Sequence, residues 1–397
     1  MKRSLQSLPA EELAGRRVLV RVDFNVPLDD GRVADATRID ASVPTLRWLL
    51  ARRARPVLLS HLGRPGGEPR PELSLAPVAP CLAERLAAPV TFFDRCEGEE
   101  AERATRELVE GDVLLLENTR FLAGETTNDP ALAERFARLG DVYVLDAFGT
   151  AHRAHASTAG VASRMRPAVA GLLVERELEA LGRLRDDPPR PFVVAFGGAK
   201  ITDKIDLLRA FFARADAILL GGAMANTFFR ARGLETGRSL VEEDAVELAK
   251  SLLVEAGSLV RLPRDVVVTV DPGDPEGEIQ EVSTAAIPGD AAAMDIGEET
   301  RAEYGHEIAA CGSFFWNGPM GRFEDPRFAA GTFALAGAAA RATDAGAFTV
   351  IGGGDSAAAV RAAGLMDAVS HVSTGGGASL EFLGGGTLPG IEALEDA

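Results

Sequence analysis

The stretch Pro191–Leu207, PFVVAFGGAKITDKIDL, decides how the rest of the chain reads. Its apolar run, Phe192–Phe196, has the length and flanks of a buried strand. The run ends in Gly197-Gly198, and Lys200 and Lys204 follow four residues apart. That spacing places both ammonium groups on one face if a helix begins there. The chain has four lysines, the others being Lys2 and Lys250, while arginine is abundant. A lysine pair just after a strand therefore suggests a site that needs compact cations. Phosphate is the ligand that suits a point charge. The plainer alternative is a solvated helix face.

Outward from this stretch, short β-branched runs alternate with longer helical patterns. Strand candidates in the first half are Val18–Phe24, Val57–Ser60, Val113–Glu117 and Val142–Asp146, with a weaker one at Val90–Phe93. Arg38–Arg53 and Leu75–Ala88 carry apolar residues at helical spacing between them. Phe192–Phe196, Ala217–Leu220, Val266–Val270, Phe314–Trp316 and Phe348–Ile351 repeat the scheme in the second half. Such alternation predicts α/β architecture: two doubly wound, Rossmann-like domains, each a parallel sheet with helices on both faces. Leu172–Leu184 reads as a strong amphipathic helix, stopped by Asp186-Asp187-Pro188-Pro189-Arg190-Pro191. It is the expected hinge helix between the domains.

Length and composition agree. A chain of 397 residues is long enough for two domains with their own cores. A net charge of −17 argues against non-specific binding to nucleic acid or to an acidic membrane surface. Salt adaptation and genome bias are both compatible with an acidic, arginine-rich, lysine-poor chain. Cys81, Cys96 and Cys311 form no CxxC and leave one unpaired, which predicts neither disulfides nor zinc. No signal-peptide core and no apolar run of about 20 residues is present, so the expected location is cytoplasmic.

Ligands of open α/β sheets bind beyond the carboxyl ends of the strands. In the first half those ends are basic. They read Arg21-Val22-Asp23-Phe24-Asn25-Val26-Pro27, with Arg38 opening the next helix, then Ser60-His61-Leu62-Gly63-Arg64-Pro65. Glu117-Asn118-Thr119-Arg120-Phe121 follows, then Ala147-Phe148-Gly149-Thr150-Ala151-His152-Arg153-Ala154-His155. Together they form an anion site suited to a small phosphate- and carboxylate-bearing substrate, because arginine offers each group a bidentate fork. The competing reading pairs these arginines with Asp23 and Asp146. His152 and His155 have no third ligand in view for a metal.

Strand ends in the second half are rich in glycine: Gly221-Gly222-Ala223-Met224, Gly352-Gly353-Gly354-Asp355-Ser356 and Ser373-Thr374-Gly375-Gly376-Gly377-Ala378-Ser379. Glycine turns at helix starts expose backbone N–H groups to phosphate, and Asp355 could hold the Mg²⁺ of a nucleotide polyphosphate. No glycine directly precedes a lysine, which excludes a P-loop. Gly352–Ala357 does satisfy the dinucleotide fingerprint, but His371–Gly375 lacks the acidic residue expected about 20 positions on. An NAD(P)-dependent oxidoreductase remains the alternative, and it leaves the basic rim and both lysines unexplained.

Taken together, RVDFNVP (Arg21–Pro27), TR (Thr37-Arg38), SHLGRP (Ser60–Pro65), ENTRF (Glu117–Phe121) and DAFGTAHRAHAST (Asp146–Thr158) resemble the phosphoglycerate kinase family. GGAKITDK (Gly197–Lys204), GGAMANTF (Gly221–Phe228), WNGPMGRFE (Trp316–Glu324), GGGDSAAAV (Gly352–Val360) and STGGGASLEFL (Ser373–Leu383) continue the match in the family's order. The resemblance implies an enzyme that interconverts ATP plus 3-phosphoglycerate with ADP plus 1,3-bisphosphoglycerate, with Mg²⁺. It implies substrate contacts from Asp23, Phe24, Asn25, Arg38, His61, Leu62, Gly63, Arg64, Arg120 and Arg153, with Arg21, His152 and His155 around them. Lys204, Gly221, Gly222, Glu324, Gly353, Gly354, Asp355 and Ser356 match nucleotide-side positions, with Asp355 near the metal. Arg38, Lys200, Lys204 and the Gly376-Gly377 amides are the expected catalytic groups.

The implied division is a phosphoglycerate-binding domain 1–170, a hinge helix 171–187, a nucleotide-binding domain 188–377 and a segment 378–397 returning to the first domain. A monomer is the family's expectation. Ala223 stands where a third glycine is common and Glu298 where DIGP is commoner; both lie towards the base or ribose, so the choice between ATP and GTP is open. A non-enzymatic binding protein on the same scaffold is the other alternative.

Overall fold

The structure is a computed structural model and describes residues 2–397. The chain divides into two compact units: one ends at Glu179 and also includes Thr387–Ala397, and the other is Ala180–Gly386.

The first unit is built on a six-stranded parallel sheet in the spatial order Val90–Phe93, Val113–Leu116, Arg55–Leu59, Arg17–Val22, Val142–Asp146, Ala168–Ala170. Val113–Leu116 and Val142–Asp146 are buried at every position, as strands covered on both faces must be. Arg17–Val22, the first strand, has Arg55–Leu59, Val113–Leu116 and Val90–Phe93 on one side and Val142–Asp146 and Ala168–Ala170 on the other, so the order reverses beside it. The sequence read Val90–Phe93 as weak; it is the edge strand, with only partial burial. Ala168–Ala170 escaped the sequence reading because three residues carry no pattern.

A second six-stranded sheet runs Val260–Arg261, Ala217–Leu220, Phe192–Phe196, Ser313–Asn317, Phe348–Gly352, His371–Val372, all pairs parallel. In chain order this is 3-2-1-4-5-6, the doubly wound dinucleotide-fold arrangement, with its switch point between Phe192–Phe196 and Ser313–Asn317. Phe192, Phe196, Phe211 and Phe315 meet edge-on, tilted or stacked there.

One strand departs from expectation. Val266–Val270 does not join the parallel sheet. Asp265–Thr269 pairs antiparallel with Ile279–Ser283 and Ala292–Ile296 in a separate three-stranded sheet. Its Val266 and Val268 pack with Ala225, Phe229, Ile287 and Ala291 in a small core of their own. A short apolar run fixes burial, not strand direction, and Ile279–Ser283 is almost wholly exposed, so no apolar signal marked the partner.

Leu172–Asp186 is a helix, and the boundary between the units falls within it. Leu173, Val174, Ala180, Leu181 and Leu184 are buried along one stripe, as the amphipathic pattern required. Residues 378–397 do not travel together. Leu383 accepts a hydrogen bond from Arg214, and Phe382 lies under the Arg185 guanidinium, so this part stays with the second unit. Thr387–Ala397 packs on the first unit, where Arg3 donates to the Glu395 carbonyl at 2.7 Å. Among the described residues no helix is long and apolar enough to cross a membrane.

Candidate active site

In the first unit the strand ends converge at the switch point. Arg38, from the first turn of helix Thr37–Ala51, pairs with Asp23 at 2.8 Å. Asn25 accepts the Gly63 amide at 2.9 Å, and Ser60 accepts the Phe24 amide at 2.8 Å. Asn118 holds the Leu62 carbonyl at 2.7 Å, and Arg120 donates to the Gly63 carbonyl at 2.7 Å. The His61–Arg64 loop is thus tied down from both sides. Phe24 and Leu62 are buried in the core, so they offer the site only main chain.

Arg64, Arg120, Arg153 and His155 line a cavity of about 410 Å³ with Gly66, Gly67, Leu122, Ala123 and Thr126. No carboxylate side chain is in that lining. The pairing alternative therefore holds for Arg38 with Asp23, but not for this set; Asp146 is engaged by the Leu173 amide at 2.9 Å. Arg120 has a pKa lowered to about 10, first by burial and then by Arg21 and Arg153. His155 is pushed down to about 4 by burial and the same arginines. Residues 66, 67 and 122–126 were not singled out in the sequence, and nothing in their chemistry marked them.

Arg21 is fully buried. It donates to Ser157 Oγ at 2.8 Å and to the Val22 carbonyl, and its Nη2 lies 3.1 Å from His61 Nδ1. It sits behind the cavity rather than in its lining.

In the second unit a cavity of about 440 Å³ opens at the switch point, lined by Gly198, Ala199, Lys200, Asp203, Lys204, Asn317–Pro319, Gly353–Ser356, Gly376, Gly377 and Leu380. Three loops meet there backbone to backbone. Gly198 N donates to the Pro319 carbonyl at 2.8 Å, Gly222 N to the Met320 carbonyl at 2.8 Å and Met224 N to the Gly198 carbonyl at 2.9 Å. A Cβ at Gly222, whose φ is +66°, would lie 2.5 Å from Gly198 N, which is why glycine is needed. Ser356 accepts the Gly318 amide at 2.6 Å, and helix Gly354–Ala362 starts beside it.

The two lysines do not share a helix face, contrary to the spacing argument. Glu242 accepts the Ile201 amide at 2.9 Å and the Thr202 amide at 3.3 Å, at the start of a 3-10 turn over Thr202–Lys204. The helix begins only at Ile205, past both lysines. Lys200 is exposed, whereas Lys204 donates to the carbonyls of Gly197 at 2.6 Å and Asn317 at 3.2 Å. Burial lowers the Lys204 pKa to about 8, against the opposing pull of Asp355 and Asp203.

Glu324 is exposed and Gly221 buried, and neither lines this cavity. Gly222 lines a cavity of about 10 Å³ with Ala225, Phe229, Met294, Asp295 and Met320. Asn317 was missed, although it is the residue that follows a predicted strand end. His152 accepts from Arg153 at 3.0 Å, and among the described residues no group of three or more His, Cys, Asp or Glu could hold a metal ion.

A doubly wound unit with a lysine- and glycine-lined cavity, in one chain with a unit that gathers arginines around another, is suited to an enzyme that handles anionic, phosphate-bearing ligands. A phosphoglycerate kinase family profile matches residues 8–386. The phosphoglycerate kinase of Chloroflexus aurantiacus is 53% identical over 390 residues, covering 97% of each chain, and that of Chlorobium limicola is 50% identical over 388 residues, 97% of this chain and 98% of its own. The solved phosphoglycerate kinase of Coxiella burnetii superposes with a TM-score of 0.88 at 38% identity, covering 99% of this chain and 98% of its own. That of Pyrococcus horikoshii OT3 gives 0.86 at 33% over the same shares. The chain belongs to the phosphoglycerate kinase family. It is a phosphotransferase with phosphoglycerate kinase activity, using ATP, and Gly352–Ala357 is part of that enzyme rather than a nicotinamide fingerprint.

Proposed function

We propose that the two substrates are held on different units. The arginine-lined cavity of the first takes 3-phosphoglycerate, and the glycine-lined cavity of the second takes the nucleotide phosphates. The observation that carries this reading is the contrast in lining. One cavity offers guanidinium forks and no carboxylate; the other offers glycine backbone, two lysines and two aspartates.

Within that reading Arg64, Arg120 and Arg153 receive the phosphate and carboxylate of 3-phosphoglycerate. Asp23 orients Arg38, and Asn25 fixes Gly63. Lys204, Gly353–Ser356 and the Gly376-Gly377 amides cradle the nucleotide phosphates, with Gly221, Gly222 and Glu324 towards the base and ribose. In the transfer a carboxylate oxygen of 3-phosphoglycerate attacks the γ-phosphorus of ATP. The bridging P–O bond breaks and its electron pair leaves on ADP, with no proton to move. Such a reaction needs no nucleophilic side chain; positioning and charge neutralisation carry the rate. Arg38 and Lys200 are the cations assigned to the moving phosphoryl group, and helix Leu172–Asp186, continuous through the boundary of the units, is the assigned hinge.

Mg²⁺ fits Asp355, which with Asp203 supplies the carboxylates of the cavity lining. So sparse a protein donor set suits an ion that takes its other ligands from phosphate and water. When bound, the ion neutralises charge on the nucleotide's phosphate oxygens. A monomer in the cytoplasm completes the reading, and sedimentation of the full chain tests the first part of it.

Titration calorimetry with each ligand alone tests the division of substrates. Arg64→Ala should weaken 3-phosphoglycerate binding about tenfold and leave MgATP unchanged, as expected for one lost charge-assisted contact. Gly353→Ala should do the reverse: its φ is +90°, and a Cβ there would lie 2.6 Å from Asn317 Nδ2. If either variant weakens the other ligand instead, the assignment of cavities is wrong.

A further inference from the structure

A guanidinium has five donors and no acceptor, so whatever nitrogen it bonds must present a lone pair. Arg21 Nη2 lies 3.1 Å from His61 Nδ1, and both residues are buried, Arg21 at 0% and His61 at 4% exposure. Among the described residues the carboxylate paired with the ring is Asp23. Its Oδ1 stands 3.9 Å from Nδ1, beyond hydrogen-bond range, and accepts the Asn25 amide at 3.2 Å; its Oδ2 is taken by Arg38 at 2.8 Å. Nδ1 therefore has Arg21 as its hydrogen-bonding neighbour.

Resting on the reading that the basic cavity takes 3-phosphoglycerate, we infer that Arg21 is a positioning residue that locks His61 as the neutral imidazole with its proton on Nε2. His61, which stands beside the cavity rather than in its lining, is then an uncharged hydrogen-bond donor of fixed orientation, not a further cation.

The surroundings support this from every side. Arg21 ends one strand, Arg38 opens the neighbouring helix, Arg120 comes from the turn after a third strand, and His155 from the loop after a fourth. The three arginines raise the cost of a positive imidazole, after burial itself, which is the largest cause of a His61 pKa well below its ordinary value. Asp23 is the one opposing charge, and Arg38 already occupies it. Arg21 in turn is held by neutral groups, Ser157 Oγ, the Val22 carbonyl and the imidazole, so its own placement depends on this bond. The site gains specificity in this way. A neutral donor discriminates by geometry, whereas a titrating imidazole would make affinity follow pH across the physiological range.

Heteronuclear NMR of the isotopically labelled full chain tests the assignment, with the His61 signals identified by their loss in His61→Gln. The expected spectrum has a pyridine-like Nδ1 and a protonated Nε2, unchanged from about pH 5.5 to about pH 8.5. Protonation at Nδ1, or a titration midpoint near about 6.5, overturns the inference. Arg21→Met should free the tautomer and raise KM for 3-phosphoglycerate about tenfold while kcat changes far less, and Arg21→Lys, which keeps a donor, should restore both. A folded Arg21→Met with the tautomer and KM unaltered also overturns it. Should Arg21→Met fail to fold, the wild-type and Arg21→Lys spectra decide. If Arg64→Ala leaves 3-phosphoglycerate affinity unchanged while the tautomer is as stated, the substrate assignment of the cavity fails and the role of Arg21 stands.

Discussion

Arg38 donates from Nη1 to Oδ2 of Asp23 at 2.8 Å, and its side chain remains 42% exposed. An ion pair so open to water contributes about 1 kcal/mol or less to stability. The pairing aims the guanidinium rather than holding the fold together. Arg38→Ala should therefore leave the melting temperature nearly unchanged while lowering kcat on the order of 10³- to 10⁵-fold, as for other arginines that stabilise a moving phosphoryl group. A coupled assay with 3-phosphoglycerate, Mg²⁺ and ATP measures it, and near-wild-type turnover would sink the role.

Lys200 and Lys204 should part company on mutation. Lys200 is exposed, and on the proposed reading it serves the transferring group. Lys200→Ala is expected to lose turnover with MgATP affinity retained within about threefold, since the missing interaction belongs to the transition state. A defect in binding alone would show that the lysine serves the ground state instead.

Lys204 is costly to the fold. Its pKa in the folded chain is about 8, below the 10.5 of a free lysine, because burial penalises the charge. That penalty is fully present below about pH 8 and is relieved as pH rises towards 10.5, so this group makes stability increase across that window. Lys204→Met should abolish the slope and raise stability at neutral pH by up to about 3 kcal/mol, while kcat collapses. Urea melts at several pH values read the first effect and the coupled assay the second.

Asp295 titrates in the opposite sense. It is buried, accepts the Gly331 amide at 2.7 Å and the Ile296 amide at 2.9 Å, and has its pKa raised to about 7, with desolvation the largest cause. Below 3.8 the carboxyl is neutral in both folded and unfolded chains and has no effect. Between 3.8 and about 7 only the unfolded chain ionises, so stability falls as pH rises, and above that the penalty is complete. Asp295→Asn should remove that fall, worth up to about 4 kcal/mol between its ends. Equal slopes in both proteins from about pH 5 to about pH 8 would show that Asp295 ionises as freely in the fold as outside it.

Much of this molecule is legible without coordinates, for identifiable reasons. Phe192–Phe196 is buried on both faces, so its burial is written as an unbroken apolar run. The basic rim is legible because it obeys the rule that ligands meet strand ends. Asn317 follows the same rule and was readable in principle. What escaped depends on partners remote in sequence. Glu242 accepts the amides of Ile201 and Thr202 from about 40 residues off, where a 3-10 turn precedes the α-helix, and no local pattern announces it. Arg21 looked like one more surface arginine of the rim; only the closing of Ser157 and His61 around it reveals a buried one.

The path of the chain also sets an order of assembly. Ala180–Gly386 is one uninterrupted segment, whereas the first unit needs both the segment ending at Glu179 and Thr387–Ala397. Glu395 closes that unit by donating to the Ala168 carbonyl at 3.0 Å and accepting from Arg3. During synthesis the unit made first is thus the one finished last. The first unit lacks Thr387–Ala397 at a point where the second already has every residue assigned to it. Domains ordinarily fold as units from the N-terminus onward. Here Ala170 already meets the N-terminal stretch, donating to the Arg3 carbonyl at 2.9 Å, while the Ala168 carbonyl gains its Glu395 partner only once Thr387–Ala397 is made.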